Sequence, residues 1–150
     1  MSEPTPHSLL ERMNRQFNVC NALYHAVAVR CGMSDTTFWV LYDLYYGEPK
    51  TQNQLCSLWA LPKQTLNSAV AAMTKQGLLS LTPVPGQRSG KLLALTEAGR
   101  TLAEKTVCYV HEKEEEALKQ MGTARALQML ETEQEHLQLL RRALEEQEIL

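Results

Sequence analysis

The stretch TQNQLCSLWALPKQTLNSAVAAMTKQGLLSLTPVPGQRSGKLLALTEAG, residues 51–99, decides the fold of this chain. Thr51 and Gln54 predict a capping box, in which each side chain accepts a hydrogen bond from the backbone of the other residue and a helix begins. Pro62 lacks a backbone donor and suits the first position of a second helix over residues 63–76, which ends at a glycine. Two helices separated by three or four residues are typical of a helix-turn-helix.

The second helix of this pair carries apolar and polar residues on opposite sides. Leu66, Val70 and Met73 recur at intervals of three and four residues, so they are expected to face the core. The opposite, solvated side carries Lys63, Gln64, Thr65, Asn67 and Ser68. Side chains of these types can hydrogen-bond to the edges of bases.

A short hairpin is predicted after the second helix. Apolar runs over residues 78–84 and 91–95 predict two strands, and the turn between them carries Arg88 and Ser89, where a side chain has nothing to bury against. Lys91 begins the second strand. A basic hairpin that follows a helix-turn-helix is typical of the wing of a winged helix.

These residues resemble a known family, the MarR family of transcription regulators. The resemblance rests most on Gly77-Leu78-Leu79 at the entry to the first strand and on residues 95–99 after the second, and it extends over nearly the whole chain. It implies a mostly α fold with a small β-hairpin wing, namely a winged helix-turn-helix plus terminal dimerisation helices. It also implies a homodimeric DNA-binding regulator, which in many members responds to a small-molecule effector.

Charge is segregated along the sequence. The net charge of the 150 residues is −2, yet residues 50–100 contain six basic side chains and one acidic side chain, a net charge of +5. A basic lobe on an otherwise acidic chain orients a protein toward a polyanion and limits nonspecific binding. The charge pattern therefore favours a nucleic-acid partner.

Capping residues place the other helix boundaries. Thr5 and Pro6 suit the start of the first helix, and Ser34 suits the start of the second. The inner face of that second helix is expected to consist of Phe38, Leu41, Tyr42 and Tyr45. Thr96 is expected to cap one long helix that continues to about residue 120.

Long amphipathic helices are predicted at both ends of the chain. Apolar residues recur at intervals of three and four at Leu10, Met13, Phe17, Cys20, Tyr24, Val27 and Cys31. A heptad-like register follows near the other end, at Ala126, Leu130, Leu137, Leu140 and Leu144. Apolar stripes in water cost about 25 cal/mol per Å², so these helices are expected to pair with a second copy as a two-fold homodimer. The predicted division is one domain over residues 1–150, with a DNA-binding lobe at 34–100 and dimerisation helices at 5–32 and 101–150.

A dimer of this kind predicts how DNA is read. Two recognition helices can enter successive major grooves about 34 to 36 Å apart and read a pseudo-palindromic operator. The predicted DNA-binding residues are Lys63, Gln64, Thr65, Asn67, Ser68, Lys75, Arg88, Ser89 and Lys91. The leading hypothesis is a repressor of transcription that a small-molecule effector releases from double-stranded DNA.

Two departures from the family pattern support a different class of function. Gln87-Arg88-Ser89 replaces the usual Asp-x-Arg of the wing, and Ser68 replaces an arginine that is common late in the recognition helix. An alternative is therefore a winged-helix protein-interaction module with weak or lost DNA binding. No enzyme is predicted, because the sequence lacks a glycine-rich phosphate loop, an activated nucleophile and paired carboxylates in an apolar setting.

The remaining reactive residues have two interpretations each. Cys20, Cys31, Cys56 and Cys108 lack a Cys-x-x-Cys pair. Buried packing is favoured for the first three, and a redox sensor stays an alternative. Cys108, His111 and Glu115 share one helical edge but lack convergent ligands, so neither a metal nor a cofactor is predicted. Tyr24, Trp39, Tyr42 and Tyr46 form either plain core or an effector pocket. Without a membrane span or an export signal, a cytoplasmic location is expected.

Overall fold

The computed structural model describes residues 3–86 and 90–147, and this part of the chain contains seven helices and three short strands. In chain order they are α1 (Pro6–Arg30), α2 (Asp35–Tyr46), β1 (Lys50–Thr51), α3 (Gln52–Trp59), α4 (Lys63–Lys75), β2 (Leu79–Pro83), β3 (Lys91–Leu95), α5 (Glu97–Lys105), α6 (Val107–Met121) and α7 (Thr123–Glu146). They form two compact units, Met1–Cys108 and Tyr109–Leu150. The predicted fold class, mostly α with a small β-hairpin, is confirmed.

Side-chain caps begin the first three helices as predicted. Thr5 accepts a hydrogen bond from the backbone of Ser8, with Pro6 in the first turn, and Ser34 begins α2 in the same way. At α3 both bonds of the predicted capping box are present, since Thr51 accepts from the backbone N–H of Gln54 and the Gln54 side chain accepts from that of Thr51 at 2.8 Å. These caps satisfy N–H groups that have no partner within the helix.

The boundaries of α4 differ from the prediction by one residue. Pro62 is the N-cap, with an extended backbone (φ −60°, ψ 130°), and Lys63 takes the first helical position. The helix ends at Lys75 and not at Gln76, and Gly77 follows with φ +74°. A positive φ of this size favours glycine, so the predicted stop signal is in place.

The core of the first unit lies beneath α4. Leu66, Val70 and Met73 are buried as predicted, and Leu55 of α3 and Leu93 of β3 are buried as well. From α2, the buried apolar residues are Phe38, Val40, Leu41 and Leu44, whereas Tyr42 and Tyr45 are only half-buried. The predicted inner face of α2 is therefore correct for two of its four residues, and aliphatic side chains complete it.

The sheet is antiparallel and has the order β1-β3-β2. The predicted hairpin is confirmed: β2 and β3 pair with Leu79 opposite Leu95 and with Pro83 opposite Lys91. Pro83 is tolerated because it ends an edge strand. The third strand, β1, was not predicted from the sequence, because its two residues show no alternation, and it pairs with β3 through Thr51 and Leu92.

Thr96 joins three elements at the exit of α4. Its side-chain hydroxyl donates to the carbonyl oxygen of Gly77 at 2.6 Å and accepts from the backbone N–H of Gly99 at 3.1 Å, and its own N–H donates to the Leu78 carbonyl at 3.0 Å. A Cβ atom at Gly99 would overlap that Leu78 carbonyl oxygen. The two sequence segments that carried the family resemblance are thus in direct contact, and we call Thr96, Gly77 and Gly99 the Thr96 clasp.

The predicted long helix after Thr96 is wrong, because it is two helices. Thr106 lies between α5 and α6 with a non-helical backbone (φ −127°, ψ −77°). Its hydroxyl donates to the carbonyl oxygen of Leu102 at 2.8 Å, and its N–H donates to that of Ala103 at 3.1 Å. A threonine hydroxyl that bonds to the preceding turn competes with the helical pattern, and no glycine or proline marks the break in the sequence.

Most of α1 is exposed on the chain by itself. Phe17 is 67% exposed and Leu10 is 50% exposed, whereas Ala28 near the end of the helix is buried. Cys20 belongs to the stripe that is expected to pair with a second copy, and on the single chain it is exposed, whereas Cys31 is half-buried. Contacts with α2 involve the later part of α1 and include Tyr24, which explains why burial is confined to its end.

The second unit contains most of α6 and all of α7, which meet at Gly122 with φ +88°. On α6, Lys113 pairs with Glu116 at 2.8 Å and Lys119 pairs with Glu115 at 3.0 Å. The hydrogen bonds and charges of these lysines lower the pKa of both carboxyl groups, and Glu116 likewise raises the pKa of Lys113. The stripe of α7 is exposed at Leu130 (57%), Leu137 (55%) and Leu140 (45%). Across residues 3–86 and 90–147, no helix has the length and apolar character to cross a membrane.

Replacing Thr96 with valine tests the Thr96 clasp. Thr96→Val keeps the volume of the side chain but removes a helix cap and a hydrogen bond, and we expect it to lower the free energy of unfolding by about 1 to 2 kcal/mol. Chemical denaturation measures the change. Thr101→Val, at an exposed position of α5, is the matched control and should change stability by less than about 0.5 kcal/mol. Equal effects at the two positions would contradict a role for the clasp.

Candidate nucleic-acid interface

A groove of about 810 Å³ lies between α4, the first turn of α3 and the hairpin. It is lined by Thr51, Gln52, Asn53, Lys63, Asn67, Val70, Ala71, Thr74, Lys75, Leu81, Gly90, Lys91 and Leu93. We call it the α4 groove. Leucine and valine side chains contribute to its lining, and the amide, hydroxyl and ammonium groups can form hydrogen bonds with a ligand.

Four of the predicted DNA-binding residues meet in the α4 groove. Lys63 begins α4, Asn67 follows one turn later, Lys75 ends the helix, and Lys91 begins β3. All four residues are exposed. Three ammonium groups and an amide side chain that line one groove form a surface that suits a polyanion with hydrogen-bonding edges.

The other predicted residues of α4 lie outside this groove. Gln64, Thr65 and Ser68 are exposed but do not line it. The Ser68 hydroxyl donates to the carbonyl oxygen of Gln64 at 3.1 Å, within its own helix. Two further predictions, Arg88 and Ser89, lie outside the described residues.

The sequence prediction did not include several polar residues of the groove. Gln52 and Asn53 come from the first turn of α3, and Thr74 comes from α4. The capping box gave the position of that first turn in the sequence, but it did not reveal what the turn faces. The pairing of β1 with β3 brings the start of α3 beside the hairpin, and a two-residue strand leaves no periodic signal.

The charges of residues 50–100 are not all directed to the groove. Lys50 lies 2.8 Å from Asp43 on α2, and both side chains are largely buried. The guanidinium of Arg100 lies over the ring of Tyr45, 5.5 Å from its centroid. Of the described basic residues in this span, Lys63, Lys75 and Lys91 line the groove, so the net charge of +5 overstates the local field.

The aromatic residues of α1, α2 and α3 contact one another. Trp39 stacks on Trp59 with ring centroids 4.5 Å apart, and Tyr24 lies 4.8 Å from Trp39. Tyr42 and Tyr46 continue the cluster at 5.5 Å. The four aromatic residues considered from the sequence are thus in mutual contact, and Trp59 is an additional member that the prediction omitted.

The four cysteine residues are free thiols, and none of them is fully buried. Cys56, expected in the core, is half-buried. A hydrogen bond with Cys108 raises the pKa of Tyr45. His111 lies 3.7 Å from Glu115. Among residues 3–86 and 90–147, no group of three or more histidine, cysteine, aspartate or glutamate residues could hold a metal ion.

Comparison with known proteins confirms the resemblance that the sequence carries. The MarR family model matches residues 32–88, which include the helix-turn-helix and the first strand of the hairpin. A search of curated protein sequences gave no match to this chain.

Solved structures share this fold over most of its length. A MarR family regulator from Neisseria meningitidis is similar with a TM-score of 0.81 and 22% identity, and the match covers 92% of this chain and 97% of that one. NadR in complex with 4-hydroxyphenylacetate gives a TM-score of 0.72 and 15% identity over 90% and 96%. A MarR family regulator from Listeria monocytogenes, described as putative and complexed with 26mer DNA, gives 0.66 and 17% over 96% and 90%.

Neighbouring substitutions on α4 test which side of the helix supports the fold. Leu66→Ala removes a fully buried side chain, and we expect it to lower the free energy of unfolding by about 2 to 5 kcal/mol. Asn67→Ala changes an exposed groove residue and should alter stability by less than about 0.5 kcal/mol. Urea denaturation of both variants measures the difference. A large loss of stability in Asn67→Ala would assign that side chain to the core instead.

Proposed function

We propose that this chain, whose residues 32–88 match the MarR family model, is a MarR-type homodimeric transcription regulator that binds specific DNA sequences. The observation that carries the proposal is the α4 groove, which Lys63, Lys75 and Lys91 line together with Asn67. The Listeria regulator solved with 26mer DNA supports it, because that protein has the same fold. Such a protein acts on chromosomal DNA, so we place it in the cytoplasm.

The proposed contacts divide between the phosphates and the bases of DNA. Lysine ammonium groups bind phosphates and hold the protein in register, whereas amide and hydroxyl side chains of the recognition helix contact base edges in the major groove. The proposed contact residues are Lys63, Gln64, Thr65, Asn67, Ser68, Lys75, Arg88, Ser89 and Lys91, together with Gln52 and Asn53 of the groove. The hairpin would lie along the adjacent backbone of the duplex.

Salt dependence of DNA binding tests this function. Fluorescence anisotropy with a duplex from the DNA upstream of the coding sequence, compared with a scrambled duplex, should show specific and salt-dependent binding. Lys63→Gln and Lys91→Gln should each weaken binding to both duplexes and lower the salt slope by about one unit. Lys105→Gln, an equal charge change at an exposed position of α5 outside the groove, is the control and should change neither quantity.

The outcome also separates the two classes of function. Absence of salt-dependent binding to either duplex would contradict a DNA-binding regulator. That result would favour a protein-interaction module, the class that Ser68 and the replacement at 87–89 suggested. If Lys105→Gln lowers the salt slope as much as the groove variants do, net charge and not the α4 groove controls DNA binding.

Homodimer formation is proposed from the exposed apolar stripes. Phe17 on α1 and Leu137 on α7 are more than half exposed in the single chain, at 67% and 55%, and each belongs to a stripe with helical spacing. Apolar stripes of this length are unfavourable in water and mark an interface. A two-fold partner would cover them and would place two α4 helices on one side of a duplex.

Phe17→Glu tests the dimer. Because Phe17 is exposed in the single chain, the substitution should leave the fold intact, but it would bury a charge in the interface, so we expect a monomer that has lost specific DNA binding. Light scattering at micromolar concentration measures the mass against the 17.0 kDa of one chain. Gln16→Glu adds the same charge at the adjacent position and should stay dimeric. A monomeric wild-type protein would refute this part of the proposal.

A repressor that responds to a small-molecule effector is the proposed form of regulation. NadR, which has the same fold, was solved with 4-hydroxyphenylacetate. In the present chain, Tyr24, Trp39 and Tyr42 lie in an aromatic cluster that connects α1 with the helix-turn-helix, so a bound molecule there could shift α3 and α4. An effector that binds the misaligned dimer more tightly would lower its affinity for DNA.

A further inference from the structure

One carboxylate on α2 contacts the last residue of α3 and the lysine that lies two residues before its first. Asp43 Oδ1 accepts a hydrogen bond from the indole Nε1 of Trp59, the last residue of α3, at 3.2 Å. Asp43 Oδ2 lies 2.8 Å from the ammonium nitrogen of Lys50, which precedes the N-cap residue Thr51. We call Asp43, Lys50 and Trp59 the Asp43 clamp.

The charges of the Asp43 clamp are shielded from water. The side chains of Asp43 and Lys50 are 12% and 21% exposed, the smallest exposures of any ion pair in the described residues. Among the described residues, Asp43 Oδ2 is buried and accepts no hydrogen bond. The ammonium group of Lys50 is the charge that balances it. Salt screens such a pair much less than a surface pair, and loss of either partner leaves an uncompensated charge.

The turn before β1 is shaped around this ammonium group. A Cβ atom at Gly47 would lie 2.5 Å from Lys50 Nζ and 2.8 Å from the Asp43 carbonyl oxygen. Lys50 Nζ also donates to the carbonyl oxygen of Glu48 at 3.3 Å. The side chain of Lys50 is therefore directed back to α2 and held there, and it does not line the α4 groove.

The helix that the Asp43 clamp holds is short and faces the α4 groove. An eight-residue helix has little stability of its own and depends on tertiary contacts. Its first turn supplies Gln52 and Asn53 to the groove. A change at either end of α3 would therefore move these two amide side chains relative to Asn67 on α4.

We propose that Asp43 is a positioning residue for sequence-specific DNA recognition, because it fixes the first turn of α3 in the α4 groove. The inference rests on the proposed function and adds to it a residue that touches no DNA. This proposal assigns the specificity and the affinity of DNA binding to different residues. Asp43 sets the discrimination between operator and nonspecific DNA, and the lysines of the groove set the affinity for both.

Asp43→Asn tests the inference, because it should change binding to specific and to nonspecific DNA in different directions. The asparagine keeps an acceptor for Trp59 and nearly the same volume, but it removes the charge that holds Lys50. We expect binding to the upstream duplex to weaken at least tenfold. Binding to the scrambled duplex should stay the same or tighten, because the released ammonium adds one cation beside the groove and raises the salt slope by up to about one unit.

Three further variants isolate the charge pair. Glu48→Gln makes the same charge change at an exposed position of the same turn and should keep the specificity ratio of the wild type. Lys50→Arg keeps a cation and should retain most of the specificity, whereas Lys50→Met should lower it without tightening nonspecific binding. Circular dichroism establishes folding, and the emission of Trp39 and Trp59, the two tryptophans of the chain, reports the clamp.

The results distinguish this inference from the proposed function. A folded Asp43→Asn protein with the specificity ratio of the wild type would overturn the inference alone, as would equal weakening on both duplexes. If Asp43→Asn does not fold, the ratio is measured on Lys50→Met, and an unchanged ratio there overturns it. A wild-type protein that binds neither duplex would refute the proposed function itself.

Discussion

The hydroxyl group of Thr96 is the constraint on which the geometry of the α4 groove depends. It connects the carbonyl oxygen of Gly77, at the exit of α4, with the backbone of Gly99, in the first turn of α5. Both ends of the hairpin are thereby fixed, because β2 begins two residues after Gly77 and β3 ends at the residue before Thr96. The angle between α4 and the hairpin, and with it the shape of the α4 groove, follows from this contact.

Local signals in the sequence were sufficient for most of the fold. The spacing of Leu66, Val70 and Met73 predicted the buried side of α4. These residues share one face of the helix, so Lys63 and Asn67 on the opposite face stay in water. Capping side chains such as Thr51 and Ser34 predicted the exact first residue of their helices, because a cap is a contact between residues only three positions apart. The hairpin followed from apolar runs on either side of a turn.

Contacts that leave no periodic pattern explain what the sequence did not reveal. The ion pair of Asp43 with Lys50 forms across the turn between α2 and β1, and neither residue belongs to a periodic sequence pattern. Gln52 enters the candidate site only because β1 pairs with β3, some 40 residues further along the chain. The break at Thr106 depends on one side-chain hydroxyl that had two possible uses, a helical position or a bond to the preceding turn.

The distribution of charge explains why, in the proposed role, the positions of the groove side chains should matter more than the net electrostatic attraction to DNA. The chain has a net charge of −2, and three described lysines line its groove, so long-range attraction to a duplex is weak. Nonspecific binding grows with the number of phosphates that are neutralised, whereas discrimination depends on the fit of amide and hydroxyl groups to base edges. In the proposed DNA-binding role, the ion pair that keeps Lys50 away from the groove would lower nonspecific binding. By holding α3, it would also improve discrimination between DNA sequences.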